Sequence, residues 1–151
     1  MKTRIASLFA FLSVLAVSNV SDAGTRNLTG SWTHGGDTWI IAHIGNQASF
    51  STSDYNEETG LVSLNFDGFV SGSGDSFSYR GIGESINVRI DDVVCVLHPN
   101  MTASGYVAGK VGGRIIRMRS CTITIRARCR DEDTGRTMAK TFTEDCAGTW
   151  R

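Results

Sequence analysis

Cys121-Thr122-Ile123-Thr124-Ile125-Arg126-Ala127-Arg128-Cys129 is the stretch that decides the fold class of this chain. Apolar and polar residues alternate through it without a break. Successive side chains of a strand point to opposite faces, so one face carries Ile123, Ile125 and Ala127 and the other carries Thr122, Thr124, Arg126 and Arg128. Val62, Leu64 and Phe66 alternate with Ser63 and Asn65 in the same way, as do Ile86, Val88 and Ile90 with Asn87 and Arg89. No period of 3.6 is sustained anywhere in the chain.

Composition agrees. The chain has 17 glycines and one proline among 151 residues, a balance that weakens helix interiors. Turn signals separate the alternating runs: His34 to Asp37, Gly45-Asn46, Asp54 to Gly60, Ser71 to Asp75, Asp91-Asp92, His98 to Asn100, Gly112-Gly113 and Asp131 to Gly135. This spacing predicts an all-β antiparallel meander of roughly eight to ten strands. A closed barrel is expected ahead of a sandwich, because closure removes exposed strand edges.

The amino terminus reads as an address. Lys2 and Arg4 precede an apolar run from Ile5 to Val17, and Ser21 and Ala23 suit a signal peptidase. Residues 1–23 are therefore expected to be a signal peptide, and residues 24–151 a single secreted or periplasmic β-domain. No second apolar stretch approaches the roughly 18 residues that a membrane helix needs, so no membrane insertion is expected after cleavage.

The four cysteines, Cys95, Cys121, Cys129 and Cys146, fit two disulfides in an exported chain. They form no CxxC pair and no zinc spacing. Cys121 and Cys129 at the ends of one strand would lie about 26 Å apart, too far for a bridge. A hairpin centred on Asp131 to Gly135 places Cys121 opposite Cys146 and leaves Cys95 for Cys129. The rival pairing, Cys95 with Cys121 and Cys129 with Cys146, requires a bulge or break near Ser120.

Formal net charge is zero over the whole chain, which names no partner and argues against nucleic acid. Its distribution is uneven. Arg114, Arg117, Arg119, Arg126, Arg128 and Arg130 fall in one acid-free stretch. Arg126 and Arg128, on the face opposite Ile123 and Ile125, are candidate contacts for an acidic glycan or protein, because the planar guanidinium fork suits oxyanions. A solvated strand face is the plainer reading of the same residues.

Asn27-Leu28-Thr29-Gly30-Ser31-Trp32 opens the secreted part and Gly148-Thr149-Trp150 closes it. These segments resemble the calycin-type barrels, the lipocalins and avidins, in which a Gly-x-Trp starts a closed meander. That resemblance implies a tryptophan packed at the barrel floor or lining a cup for an apolar ligand. The later tryptophans of the avidin cup have no counterparts here. Trp32 and Trp39 flank the Gly35-Gly36 turn and are candidates for stacking on a small ligand, while anchoring a small core is the favoured reading of both.

Catalytic signatures are missing from the sequence. It has no Gly-x-Ser-x-Gly elbow and no HExxH, and Glu57-Glu58 lies in a polar stretch. His34, His43 and His98 share no ligand spacing, so neither metal nor cofactor is expected. The expectation is a non-enzymatic exported β-barrel that binds a ligand or an anionic partner. The second reading is an inhibitor of a protease or lysozyme that inserts one of the polar loops, 54–60 or 70–76, into its target.

Overall fold

The structure is a computed structural model that describes residues 27–56, 60–109 and 113–151. The expected signal peptide, residues 1–23, lies outside the described residues. Ten strands follow one another: β1 (Gly30–His34), β2 (Asp37–Ile44), β3 (Gln47–Asn56), β4 (Gly60–Ser71), β5 (Ser76–Gly83), β6 (Ile86–Ile90), β7 (Val93–Ala108), β8 (Ile115–Asp131), β9 (Thr137–Asp145) and β10 (Gly148–Trp150). Every pairing is antiparallel, and the described residues contain no helix.

The ladder runs β1-β2-β3-β4-β5-β7-β8-β10, with β6 added to β7 and β9 added to β8. Two strands thus serve two neighbourhoods. The C-terminal part of β7 pairs with β5, and its N-terminal part pairs with β6. The N-terminal part of β8 pairs with β10, and its C-terminal part pairs with β9. The result is a body of β1 to β5, β10 and one end of β7 and β8, and a four-stranded extension in the order β6-β7-β8-β9.

Several sequence expectations are corrected. His98 to Asn100 is not a turn but the middle of β7. The ladder from β5 ends at Ile82 opposite Asn100, and that from β6 begins at Ile86 opposite Leu97. Pro99 falls in the gap between them, where a residue without an N–H leaves no ladder bond unmade on that side. The polar stretch 54–60 is mostly strand, because β3 and β4 stay in register as far as Asn56 opposite Gly60. Residues 57–59 lie outside the described residues. The strand seen in Cys121 to Cys129 extends in both directions, to Ile115 and Asp131.

The antiparallel all-β sheet is as expected, and its strand pairing stops short of a closed barrel. Among the described residues no ladder joins β1 to β10, and the three residues of β10 pair with β8. The two ends of the sheet are linked by the backbone of one residue pair and, beside it, by contacts of His34 with Thr149 and Trp150. Thr33 N–H donates to the Arg151 carbonyl at 2.7 Å, and Arg151 N–H donates to the Thr33 carbonyl at 3.1 Å.

Alternation decides the core. The inward residues of the body bring together Trp39, Phe50, Phe66, Tyr79, Met101, Ile116 and Trp150, all nearly free of solvent. The rings interlock. Trp39 meets Phe50 and Trp150 edge-on, each at 6.1 Å between centroids, and Phe50 lies 4.2 Å from Tyr79. Such pairs contribute about 0.5–1.5 kcal/mol beyond their buried area. The Tyr79 hydroxyl donates to the Phe66 carbonyl at 2.9 Å. Burial, and secondarily the charge of Asp67, pushes that hydroxyl far above its ordinary titration range, so it stays a donor.

The two Gly-x-Trp segments form hooks of one shape. Trp32 Nε1 donates to the carbonyl of Leu28 at 2.8 Å, and Trp150 Nε1 donates to that of Cys146 at 3.2 Å. Each hook turns on a glycine, Gly30 at φ 151° and Gly148 at φ 150°, a conformation that side-chain-bearing residues rarely adopt. Trp32 and Trp150 therefore bury their rings while satisfying their indole N–H groups locally.

The disulfides join Cys121 to Cys146 and Cys95 to Cys129. The hairpin register explains the first. Thr122 lies opposite Asp145, and Cys146 N–H donates to the Cys121 carbonyl at 2.9 Å. The second bridges directly opposed residues of β7 and β8. No cysteine is free, and two bridges of this kind belong to an oxidising compartment. Among the described residues no helix is long and apolar enough to cross a membrane.

Candidate functional site

The arginine-rich stretch divides into two halves that the structure treats differently. Arg114 lies over the Trp32 ring at 5.7 Å and hydrogen-bonds the Asn27 carbonyl. Arg117 donates to the Thr149 hydroxyl at 3.3 Å, and Arg119 lies 5.2 Å above the Tyr106 ring. These three are held by neighbours on the body. Arg126, Arg128 and Arg130 are exposed on the extension, and no hydrogen bond, ion pair or ring contact among the described residues engages them.

Register places all three on one face. Arg126 stands between His98 of β7 and Thr141 of β9, Arg128 between Val96 and Ala139, and Arg130 between Val94 and Thr137. Positions two apart on a strand are about 6.5–7 Å apart, so three guanidiniums form a column along β8. The next rung is neutral and polar, Asn100, Thr124 and Thr143; the one after it, Thr102, Thr122 and Asp145, ends in an acid that accepts from Ala147 N–H at 2.8 Å. On the β9 side the neighbours are short, which leaves the arginines room to lie across the strand. His98 accepts or donates one hydrogen bond, 2.8 Å from its Nδ1 to Ser85 Oγ.

Acids are near but set apart. Glu132 in the distal turn pairs with Arg89 of β6, the one salt bridge among the described residues. Asp131 turns inward on its own loop and accepts from Thr134 N–H at 2.8 Å. Those bonds from Thr134, with a further one from Asp133, hold its carboxyl below the ordinary aspartate range. The column of arginines is therefore not neutralised by the turn that follows it.

Arg126 and Arg128 thus stand where the alternation placed them, side by side on one face. Arg130 and His98 complete that face and were not among the candidate residues. Continuing the alternation one step past Cys129 reaches Arg130. His98 could not be found that way, since its place beside Arg126 depends on the register of β7.

Trp32 and Trp39 are at a different site and serve a different surrounding. Their exposures are 5% and 3%, and both belong to the packed interior of the body. Neither offers a free ring face for a ligand to stack on. Interlocked rings fill the interior of the body.

The histidines do not converge. His34 Nδ1–H donates to the Thr149 carbonyl at 3.0 Å, while His43 accepts from Leu28 N–H at 3.2 Å and donates from Nε2 to the Gly45 carbonyl at 3.0 Å. Among the described residues no group of three or more histidine, cysteine or acidic side chains could hold a metal ion. Of the two loops considered for insertion into a target, residues 72–75 form a turn tied by Ser76 N–H to the Ser73 carbonyl at 3.1 Å and by Val107 N–H to the Asp75 carbonyl at 3.0 Å. A shallow depression of about 400 Å³ lies elsewhere, between Ile44, Ser49, Asp67 and Phe69 on β2 to β4.

No protein-family model matches this chain, and no curated protein or solved structure is significantly similar to it.

Proposed function

We propose that the protein is a non-enzymatic exported β-domain that binds an anionic partner on the face carrying Arg126, Arg128 and Arg130. One observation carries this reading: three neighbouring arginines stand in register, exposed and unengaged, while the other arginines of the same stretch are occupied by the body. Exposed guanidiniums without partners keep their full capacity for bidentate bonds to carboxylate, sulfate or phosphate. The interior, being filled by aromatic rings, favours surface recognition over an enclosed ligand.

The body is read as a calycin-like meander whose closure runs through the pair Thr33 and Arg151. Support comes from their two mutual backbone bonds and from His34, which adds a bond to Thr149 and packs 5.2 Å from the Trp150 ring. The reading of the chain as exported rests on the basic and apolar pattern of residues 1–23, and the two disulfides support it. The inhibitor reading is the weaker one, since residues 72–75 are bonded back onto β5 and β7 rather than presented as a free loop.

The test is retention of the oxidised protein on a sulfonate- or carboxylate-bearing matrix. Wild type should bind at low salt and elute as salt rises, because salt screens exposed charges. Arg126→Ser with Arg128→Ser should elute much earlier, with a melting temperature nearly unchanged, since exposed charges contribute little to stability. Identical elution of wild type and the folded double variant would remove the basis for the reading.

A further inference from the structure

We infer that the partner of the arginine face is a linear acidic polysaccharide, one that carries uronate or sulfate groups along its length. The inference rests on the anionic reading above and narrows it to one class of polymer. Four features of the face select a glycan over a polypeptide.

First, the cations repeat. Arg126, Arg128 and Arg130 are spaced by about 6.5–7 Å along β8, which suits a chain with charges at intervals rather than one compact anion. Second, the surface between and beside them is hydroxyl- and amide-rich. Thr124 and Thr143 flank one rung with Asn100, Thr141 flanks Arg126, and Thr137 flanks Arg130. Threonine and asparagine side chains both donate and accept, as sugar hydroxyls do, so they match the neutral parts of such a polymer. Third, His98 is the one ring on the arginine rungs, and no large aliphatic residue stands there. The neighbours there are Val94, Val96, His98, Thr137, Ala139 and Thr141, and the shallow depression on β2 to β4 does not include them. A peptide docked on a sheet face gains most from pockets that hold its side chains, and these rungs supply none.

Fourth, the edge nearest the arginines resists strand addition. An acidic peptide could reach the column by pairing with β9, which is exposed throughout. But Lys140 and Glu144 point to the opposite face of the sheet, opposite Ala127 and Ile123, and charges on the inward face of an edge strand discourage a further strand. A saccharide chain lying across the face needs no such pairing.

The experiment measures binding of the oxidised full-length protein to soluble polygalacturonate and heparin, with neutral dextran and poly-glutamate beside them. Polygalacturonate separates uronate from sulfate recognition. The expected result is binding to one or both acidic glycans, none to dextran, and weaker binding to poly-glutamate. Arg126→Ser with Arg128→Ser should weaken glycan binding by more than about tenfold, through loss of two charge-assisted forks. Arg126→Lys with Arg128→Lys keeps the charge without the fork and should fall between, and it serves equally if the serine pair fails to fold. Thr124→Val with Thr141→Val keeps every charge and should weaken glycan binding roughly threefold while leaving poly-glutamate unchanged, because valine preserves shape and removes the hydroxyl. Poly-glutamate bound as tightly as the glycans, with no response to the threonine pair, would overturn the polysaccharide and leave an acidic protein as partner. Binding to no polyanion, or binding indifferent to the arginines, would overturn both this inference and the anionic reading beneath it.

Discussion

The body and the extension share two strands, β7 and β8, and differ in what covers them. In the body the inward face of these strands, Met101, Ala103, Cys121 and Ile123, lies under the aromatic residues of β2 to β5 and β10. In the extension the same face continues through Leu97, Cys95, Ala127 and Cys129 to β6 and β9, and its cover thins out. Ile90 is 43% exposed, Phe142 47% and Met138 61%. Where ring packing stops, a disulfide begins: Cys95 and Cys129 sit on the inward face at the place where buried neighbours run out. A covalent link compensates for a core too small to hold four strands, much as it does in small secreted domains. The less-covered region is also the one that carries unengaged arginines. The packed core and the unengaged arginines thus lie at opposite ends of the same two strands.

The largest test of this division is Trp39→Ala. It removes the ring that meets Phe50, Phe66 and Trp150, and should cost roughly 3–5 kcal/mol in urea or thermal unfolding. The extension should be lost with the body, because it has no core of its own. An extension that stays protected in such a variant would show that it folds independently.

Next in size is Cys95→Ala with Cys129→Ala. The expected cost is about 2–4 kcal/mol or less, and its location matters more than its magnitude. Amide exchange should accelerate in β6 and β9 and stay slow in β2, β3 and β4, since regions with thin cover open locally. Uniform acceleration would mean that the two regions are one cooperative unit.

The smallest effect concerns the distal turn. Asp131 has its carboxyl held below the ordinary value of about 3.9 by bonds from Thr134. A group depressed in the folded state adds stability above its unfolded value, and that addition is lost as pH falls through the folded one. Asp131→Asn should therefore be slightly less stable than wild type at neutral pH and indistinguishable from it in strong acid. A difference that persists at low pH would assign the effect to side-chain geometry rather than charge.

Much of this was legible in the sequence. The alternation in Cys121 to Cys129 gave the faces of β8, and the turn at Asp131 to Gly135 gave the register that joins Cys121 to Cys146. The Gly-x-Trp segments marked both hooks. What stayed hidden depends on pairing between distant strands. Pro99 reads locally as a turn, and it is compatible with β7 because β5 and β6 leave a gap beside it. The division into body and extension has no local signal either, since it arises from a change of partners along β7 and β8. Trp32 and Trp39 were open to two readings because aromatic residues flanking a glycine turn suit a binding surface and a core alike.

The long β7–β8 ladder has a mechanical consequence. Its hydrogen bonds lie perpendicular to the strands, from Val93 opposite Asp131 to Ala108 opposite Ile115. A pull on the arginine face directed along β8 would load these bonds together, in shear, instead of opening them one after another. The same force applied across the sheet at β9 would peel a single strand from its edge. A polymer lying parallel to β8 would therefore drag on the molecule along its strongest axis, and the protein could hold under tension a load that would unzip it from the side.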